Sequence, residues 1–141
     1  MEKEALPIPQ GKYVPANRCG NLIVTAGMTP RENGKLLYEG KIHIEDDLEL
    51  YRSAVIQAAK NALNAAKSQL RGDERIQQIL SITIYLNAEE GYTKHSKIAD
   101  FASEYYCEQL GDAGIGCRVS VGVASLPGNA PCEIQIMAAC G

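Results

Sequence analysis

The sequence predicts an α+β fold, a mixed β-sheet with two helices packed on one face, and three observations lead there. Apolar residues recur at helical spacing over residues 46–70 and again over 93–111. They alternate with a period of two in three other runs, 21–27, 79–86 and 118–125. The segments follow one another as strand hairpin, helix, strand, helix, strand hairpin. With 141 residues, 45% of them hydrophobic and 22% charged, the chain has the length and composition of one globular domain spanning residues 1–141.

Each element has a local reason. The leader Leu6-Pro7-Ile8-Pro9-Gln10-Gly11 is too rich in proline for a regular element and is expected to run extended before Tyr13. Asn21 to Gly27 reads as a strand with Leu22, Val24 and Ala26 on one face. Asn33-Gly34 then favours a hairpin turn, with Leu36-Leu37-Tyr38 as its second arm. From Asp46 to Leu70, Tyr51, Val55, Ala58, Ala62 and Ala66 form a helical stripe, Asp46 or Asp47 supplies the cap and Gly72 follows the end. Leu80, Ile82, Ile84 and Leu86 alternate with Ser81, Thr83 and Tyr85, which predicts a strand with the aliphatic set inward. A second helix is expected from Thr93, carrying Ile98, Phe101, Ala102 and Tyr105 inward until Gly111 stops it.

Composition excludes several function classes. The formal net charge is −3 and there is no run of Lys or Arg, so no nucleic-acid partner is expected. No window has the length of a membrane helix, so no membrane partner is expected either. Met1-Glu2-Lys3-Glu4 is acidic and leads into no apolar stretch, which argues against a signal peptide. Five cysteines, an odd number without a C-x-x-C pair, fit a reduced, cytoplasmic setting. No spacing of His, Cys, Asp and Glu predicts a metal site. Cys117 beside Arg118 is read as a buried thiol in preference to a nucleophile, because no His is near in sequence. Gly111-Asp112-Ala113-Gly114 follows a helix and enters a strand, the reverse of a phosphate loop, and is read as a cap and turn.

The most informative residue is Arg118, at the head of Val119-Ser120-Val121-Gly122-Val123-Ala124-Ser125. Alternation puts Val119, Val121 and Val123 on one face and Arg118, Ser120, Gly122 and Ala124 on the other. The valine face is expected to be the core, leaving a guanidinium on a roomy face of small residues. On the returning strand Ile134 and Ile136 share one face, which places Glu133 on the arginine side. Arg118 and Glu133 then form a pocket for a small carboxylate. The second face of the sheet, with Thr25, Gly27, Ser120, Gly122 and Ala124, carries too little charge for an ordinary solvent face, so subunits are expected to pack there.

Gly11 to Ala16, Gly20 to Pro30, and Arg118 through Leu126-Pro127 to Glu133 together resemble the RidA family, also called YjgF, the reactive intermediate deaminases. The resemblance runs from about Gly11 to Ala139 and is to a divergent branch bearing Val121-Gly122-Val123-Ala124-Ser125-Leu126-Pro127. It implies a chorismate-mutase-like fold and a homotrimer whose sheets line a central barrel, with sites in clefts between subunits. Active members hydrolyse imines of 2-oxo acids, such as 2-iminopropanoate, which pyridoxal-phosphate enzymes release, and use no metal or organic cofactor. Carried over, the carboxylate-binding arginine falls on Arg118, the water-positioning glutamate on Glu133 and the pocket tyrosine on Tyr13. Ser120 supplies a backbone carbonyl toward the substrate nitrogen, Gly27 lies in the pocket wall, and Tyr92 stands for an aromatic from the adjacent subunit.

Two functions follow as expectations. The first is hydrolytic deamination of small 2-imino or enamine acids to 2-oxo acids and ammonia, with Arg118 and Glu133 as the catalytic pair. The alternative is a non-catalytic trimer that binds a small imino or 2-oxo acid for sensing or regulation; Arg118 would serve both. The ribonuclease activity attached to the family's name fits poorly with an acidic chain that lacks a pair of catalytic histidines.

Overall fold

A computed structural model describes residues 6–141; Met1 to Glu4, on which the signal-peptide reading rests, lie outside the described residues. The N-terminal hairpin pairs β1 (Ala16–Cys19) with β2 (Leu22–Thr25). A small separate ribbon follows, β3 (Arg31–Glu32) with β4 (Lys35–Leu36), turned by Asn33 and Gly34, both at positive φ as an Asn-Gly turn requires. Asp47 accepts from the backbone N–H of Glu49 at 3.0 Å and caps a 3₁₀ turn, Leu48–Tyr51, that runs into α1 (Arg52–Lys67). The expected stripe, Tyr51, Val55, Ala58, Ala62 and Ala66, is buried throughout.

After β5 (Ile76–Asn87), α2 (His95–Leu110) buries Ile98, Phe101 and Ala102 and ends at Gly111, φ 63°. Tyr106 is fully enclosed, and its hydroxyl donates to the carbonyl of Ala59 at 2.8 Å, which fastens α2 to α1. The last strands are β6 (Cys117–Val123) and β7 (Cys132–Cys140).

The main sheet has the order β1-β2-β7-β5-β6, with β5 and β6 parallel and the other neighbours antiparallel. Its core face carries Ile23, Ile82, Ile84, Leu86, Ile134 and Ile136 under the helices; burial of each such side chain contributes roughly 1.5–3 kcal/mol. The mixed sheet and two helices match the predicted fold class.

The register corrects four expectations. β6 and β7 do not form a hairpin, because β5 lies between them; the connection from β5 through α2 to β6 is a parallel crossover. The valine face of β6 is not the core. Arg118, Ser120 and Gly122 pair with the buried Ile82, Ile84 and Leu86, whereas Val119 and Val121 lie on the open face with Thr83 and Tyr85 and are exposed. The small residues make room for a helix: a Cβ at Gly122 would stand 2.9 Å from the Nε2 of His95. Thr25, placed on the second face from sequence, is on the core face, where its hydroxyl accepts from the backbone N–H of Ile136. A bulge between Ile79 and Ser81 turns Leu80 outward and Ile79 inward, which reverses the expected place of Leu80. The open face is accordingly more apolar than expected, with Leu22, Val24, Val119, Val121 and Met137 all exposed.

Candidate functional site

The six residues singled out in the sequence fall into two groups. Glu133 begins β7 opposite Tyr85 on the open face. The chain beyond β2 is stitched to it by reciprocal bonds between the backbones of Met28 and Ile134, at 2.8 and 2.9 Å. Those bonds lay Gly27 against the Glu133 carboxyl, where an added Cβ would come within 2.9 Å of Cδ and Oε2 and the carboxyl would have to shift. Glu133 is half-buried and accepts no hydrogen bond from any described residue, and desolvation lifts its carboxyl above the ordinary range. Tyr13 is half-exposed on the preceding segment, with its hydroxyl accepting from the backbone N–H of Gln10 at 3.1 Å. Gly27 and Tyr13 both line a cavity of about 380 Å³ that reaches from the leader to α1.

The second group lies along β6. Arg118 lies under α2, where Nη1 donates to Asp100 Oδ1 at 2.8 Å and to Ser103 Oγ at 2.9 Å. Its Nη2 donates to the Oγ and the carbonyl of Ser96 at 2.9 and 3.2 Å. The guanidinium is therefore rigidly held, with 19% of the side chain exposed and only Nε uncommitted among these contacts. Ser120 is half-buried two residues on. Tyr92 is buried where the loop before α2 meets the end of β6, edge-on to His95, and burial raises its hydroxyl pKa.

Arg118 and Glu133 do not meet within one chain. Arg118 shares a row with Ile82 and Ile136 on the helix face, whereas Glu133 shares a row with Tyr85 and Val121 on the open face. The two strands are separated by two inter-strand spacings, about 10 Å, before the offset along the strands is counted. The expectation that one sheet face carries both is corrected: it rested on the β6 valines sharing the core face with Ile134 and Ile136, and the register puts Arg118 on that face and the valines on the other.

The sequence reading missed Asp100, Ser96 and Ser103. They stand at i, i+4 and i+7 of one helix, a polar stripe that is legible as such, but its arginine partner is not. It also missed Arg31 and Lys60, which line the cavity beside Gly27 and come from segments unremarkable in sequence. Among the described residues no cluster of His, Cys, Asp and Glu is arranged to hold a metal ion, and no helix is long and apolar enough to cross a membrane.

An α+β domain with a mixed sheet, two helices on one face and the other face uncovered and apolar defines a chorismate-mutase-like module. The chain matches the family described as "YjgF/chorismate_mutase-like, putative endoribonuclease" over residues 2–140, and it belongs to that family. Similar solved structures include the Agrobacterium tumefaciens protein Atu1372, of unknown function, with 29% identity and TM-score 0.87 over 96% of this chain and 86% of that one. Another is a "putative endoribonuclease" from Shewanella oneidensis, with 28% identity and TM-score 0.87 over 99% and 92% of the two chains. A RutC family protein of Pyrococcus abyssi is 27% identical over 96% of this chain and 91% of its own length.

Proposed function

We propose that the protein hydrolyses small, reactive 2-imino or enamine acids to 2-oxo acids and ammonia, in clefts between copies of the chain in a homotrimer. Arg118 of one copy grips the substrate carboxylate, and Glu133 of the next positions the attacking water. The observation that carries this reading is Glu133: a half-buried carboxylate without a hydrogen-bonding partner among the described residues, laid over a glycine that leaves it room. A solvated surface acid has no need of such a place. The exposed valines of β6, at the edge of the sheet, and the apolar open face support a neighbouring copy there.

The chemistry is a water addition followed by an elimination. The tautomerised enamine, as its imine, lies with its carboxylate toward Arg118 and its C=N carbon toward the water held by Glu133. Glu133 takes a proton as the water oxygen bonds to carbon and the C=N π pair moves to nitrogen. Glu133 returns that proton to the nitrogen, whose N–H is directed at the carbonyl of Ser120, and the carbinolamine results. Collapse of the carbinolamine expels ammonia and leaves the 2-oxo acid. A lifted pKa suits Glu133 for both receiving and returning the proton, a task worth about 10²–10⁴ in rate. Tyr13 and Gly27 wall the cleft and Tyr92 closes it from the adjacent copy. Imines released by pyridoxal-phosphate enzymes are the substrates that this chemistry fits.

The decisive experiment mixes two inactive variants. Arg118→Ala and Glu133→Gln chains, unfolded and reassembled together at equal ratio, are expected to recover about one quarter of wild-type imine hydrolysis, since that share of interfaces pairs an intact arginine with an intact glutamate. Recovery near zero would sink the shared site. Retained binding of a 2-oxo acid without turnover in the wild type would favour the binding-only alternative.

A further inference from the structure

We propose that the cavity between the leader, the 27–34 segment and α1 is a binding site for an organic carboxylate with an aliphatic or aromatic body, recognised by Arg31 and Lys60. The cavity shares Tyr13 and Gly27 with the cleft of the hydrolysis reading, but the two cations invoked here have no part in that reading.

Two cations line this cavity. Arg18, Arg52 and Arg118 each have a carboxylate within ion-pair distance, at 2.6, 2.7 and 2.8 Å. Arg31 and Lys60 line one cavity, and neither has such a partner among the described residues. Glu32 is the single acid in the lining and is exposed, so two cations face one carboxylate and the cavity wall is left with a net positive charge.

The arginine is also incompletely satisfied. Its Nη1 donates to the carbonyl of Gly34 at 3.1 Å, and Nη2 rests over Gly128, where a Cβ would stand 2.8 Å away. Nε is enclosed without any hydrogen-bond partner, the one buried side-chain nitrogen or oxygen among the described residues in that condition. Buried donors in native proteins are nearly always paired, and an unpaired one marks a place where something is still to arrive. A carboxylate in the cavity would pair with this guanidinium, with Lys60 as a second, more mobile cation.

The rest of the wall specifies the body of the ligand. The cavity, about 380 Å³, is in the size range of small-molecule sites, and a three-carbon acid would leave most of it empty. Met28, Ile8 and Leu6 offer apolar surface, and Asn64 on α1 a polar contact. A carboxylate attached to a hydrocarbon chain or ring fits that division better than a compact polyanion.

The test is calorimetric titration of the full chain with 3-phenylpropanoate and with its uncharged analogue 3-phenylpropanamide. The carboxylate is expected to bind saturably and the amide at least about tenfold more weakly. Arg31→Gln and Lys60→Gln are each expected to lose about 10–100-fold, the range of a charge-assisted hydrogen bond. Arg118→Ala is expected to bind normally, and that arm separates this site from the proposed hydrolytic one. Equal binding of acid and amide, unchanged binding in the Arg31→Gln/Lys60→Gln double variant with a native circular dichroism spectrum, or no saturable binding at millimolar concentration would each overturn the proposal.

Discussion

Glu133 and Arg118 are held in opposite ways. The acid is half-buried, takes no hydrogen bond from a described residue and has its pKa raised by desolvation. The arginine is tied at both Nη atoms by three side chains and a carbonyl of one helix. In the proposed reaction the first arrangement would keep a group reactive and the second keep one still. A proton acceptor must be free to change state, whereas an anchor works best when its geometry is fixed in advance. Asp100 occupies part of the charge that a substrate carboxylate would use.

The largest effect that would sharpen this contrast is expected from Glu133→Gln, a loss of about 10²–10⁴ in kcat. The same change is expected to raise the thermal midpoint at neutral pH. The sign follows from the shift: a carboxyl whose folded pKa lies above its unfolded one destabilises the fold once both forms are ionised, and that penalty is relieved as pH falls through the raised value. An acidic limb of the rate profile is accordingly expected above pH 4.5, the ordinary value for this group. Unchanged turnover, or a lowered midpoint, would break the assignment of Glu133 as a reactive group.

Next in size is Gly27→Ala, whose methyl would meet the Glu133 carboxyl at 2.9 Å. Displacement of the base on that scale is expected to cost up to about 10² in rate, with binding of a 2-oxo acid little changed. Steady-state kinetics and a titration of the same preparation distinguish this from unfolding. Asp100→Asn is expected to act in the opposite direction, lowering KM by no more than about fivefold, because the aspartate is over half exposed and such pairs are worth at most about 1 kcal/mol. A raised KM would mean that Asp100 aims Arg118 more than it competes for it.

The smallest effect lies outside both half-sites. Glu74 accepts both Nη groups of Arg18 at 2.6 and 2.8 Å and the backbone N–H of Arg71 at 2.7 Å, and its carboxyl is held down to about 2. That stabilisation is present above the unfolded value near 4.5 and is lost as pH falls toward 2. Urea midpoints measured across that window should fall less steeply for Glu74→Gln than for the wild type, while imine hydrolysis at neutral pH stays the same.

Much of the fold could be read from the sequence because its signals are local. The stripe from Tyr51 to Ala66, the Asn33-Gly34 turn and the stop at Gly111 depend on neighbours within a few residues. The parity of β6 and β7 was legible for the same reason. Which side of each strand the helices cover was not, because that depends on β5 entering between β6 and β7 and on α2 crossing Gly122. Valines usually face inward, and here they face a sheet surface left bare in the single chain. Within the candidate site, the pairing of Gly27 with Glu133 joins residues more than a hundred positions apart through the backbones of Met28 and Ile134, and no periodicity encodes it. The family resemblance named both residues without that contact.

The position of β6 at the end of the sheet has a consequence for how the protein would behave in dilute solution. If each reaction centre needs the rim of one molecule and the far strands of another, an isolated molecule owns no complete centre. Specific activity would then collapse below the dissociation constant of the assembly instead of staying proportional to the amount of protein. Abundance itself would set the threshold at which the chemistry begins.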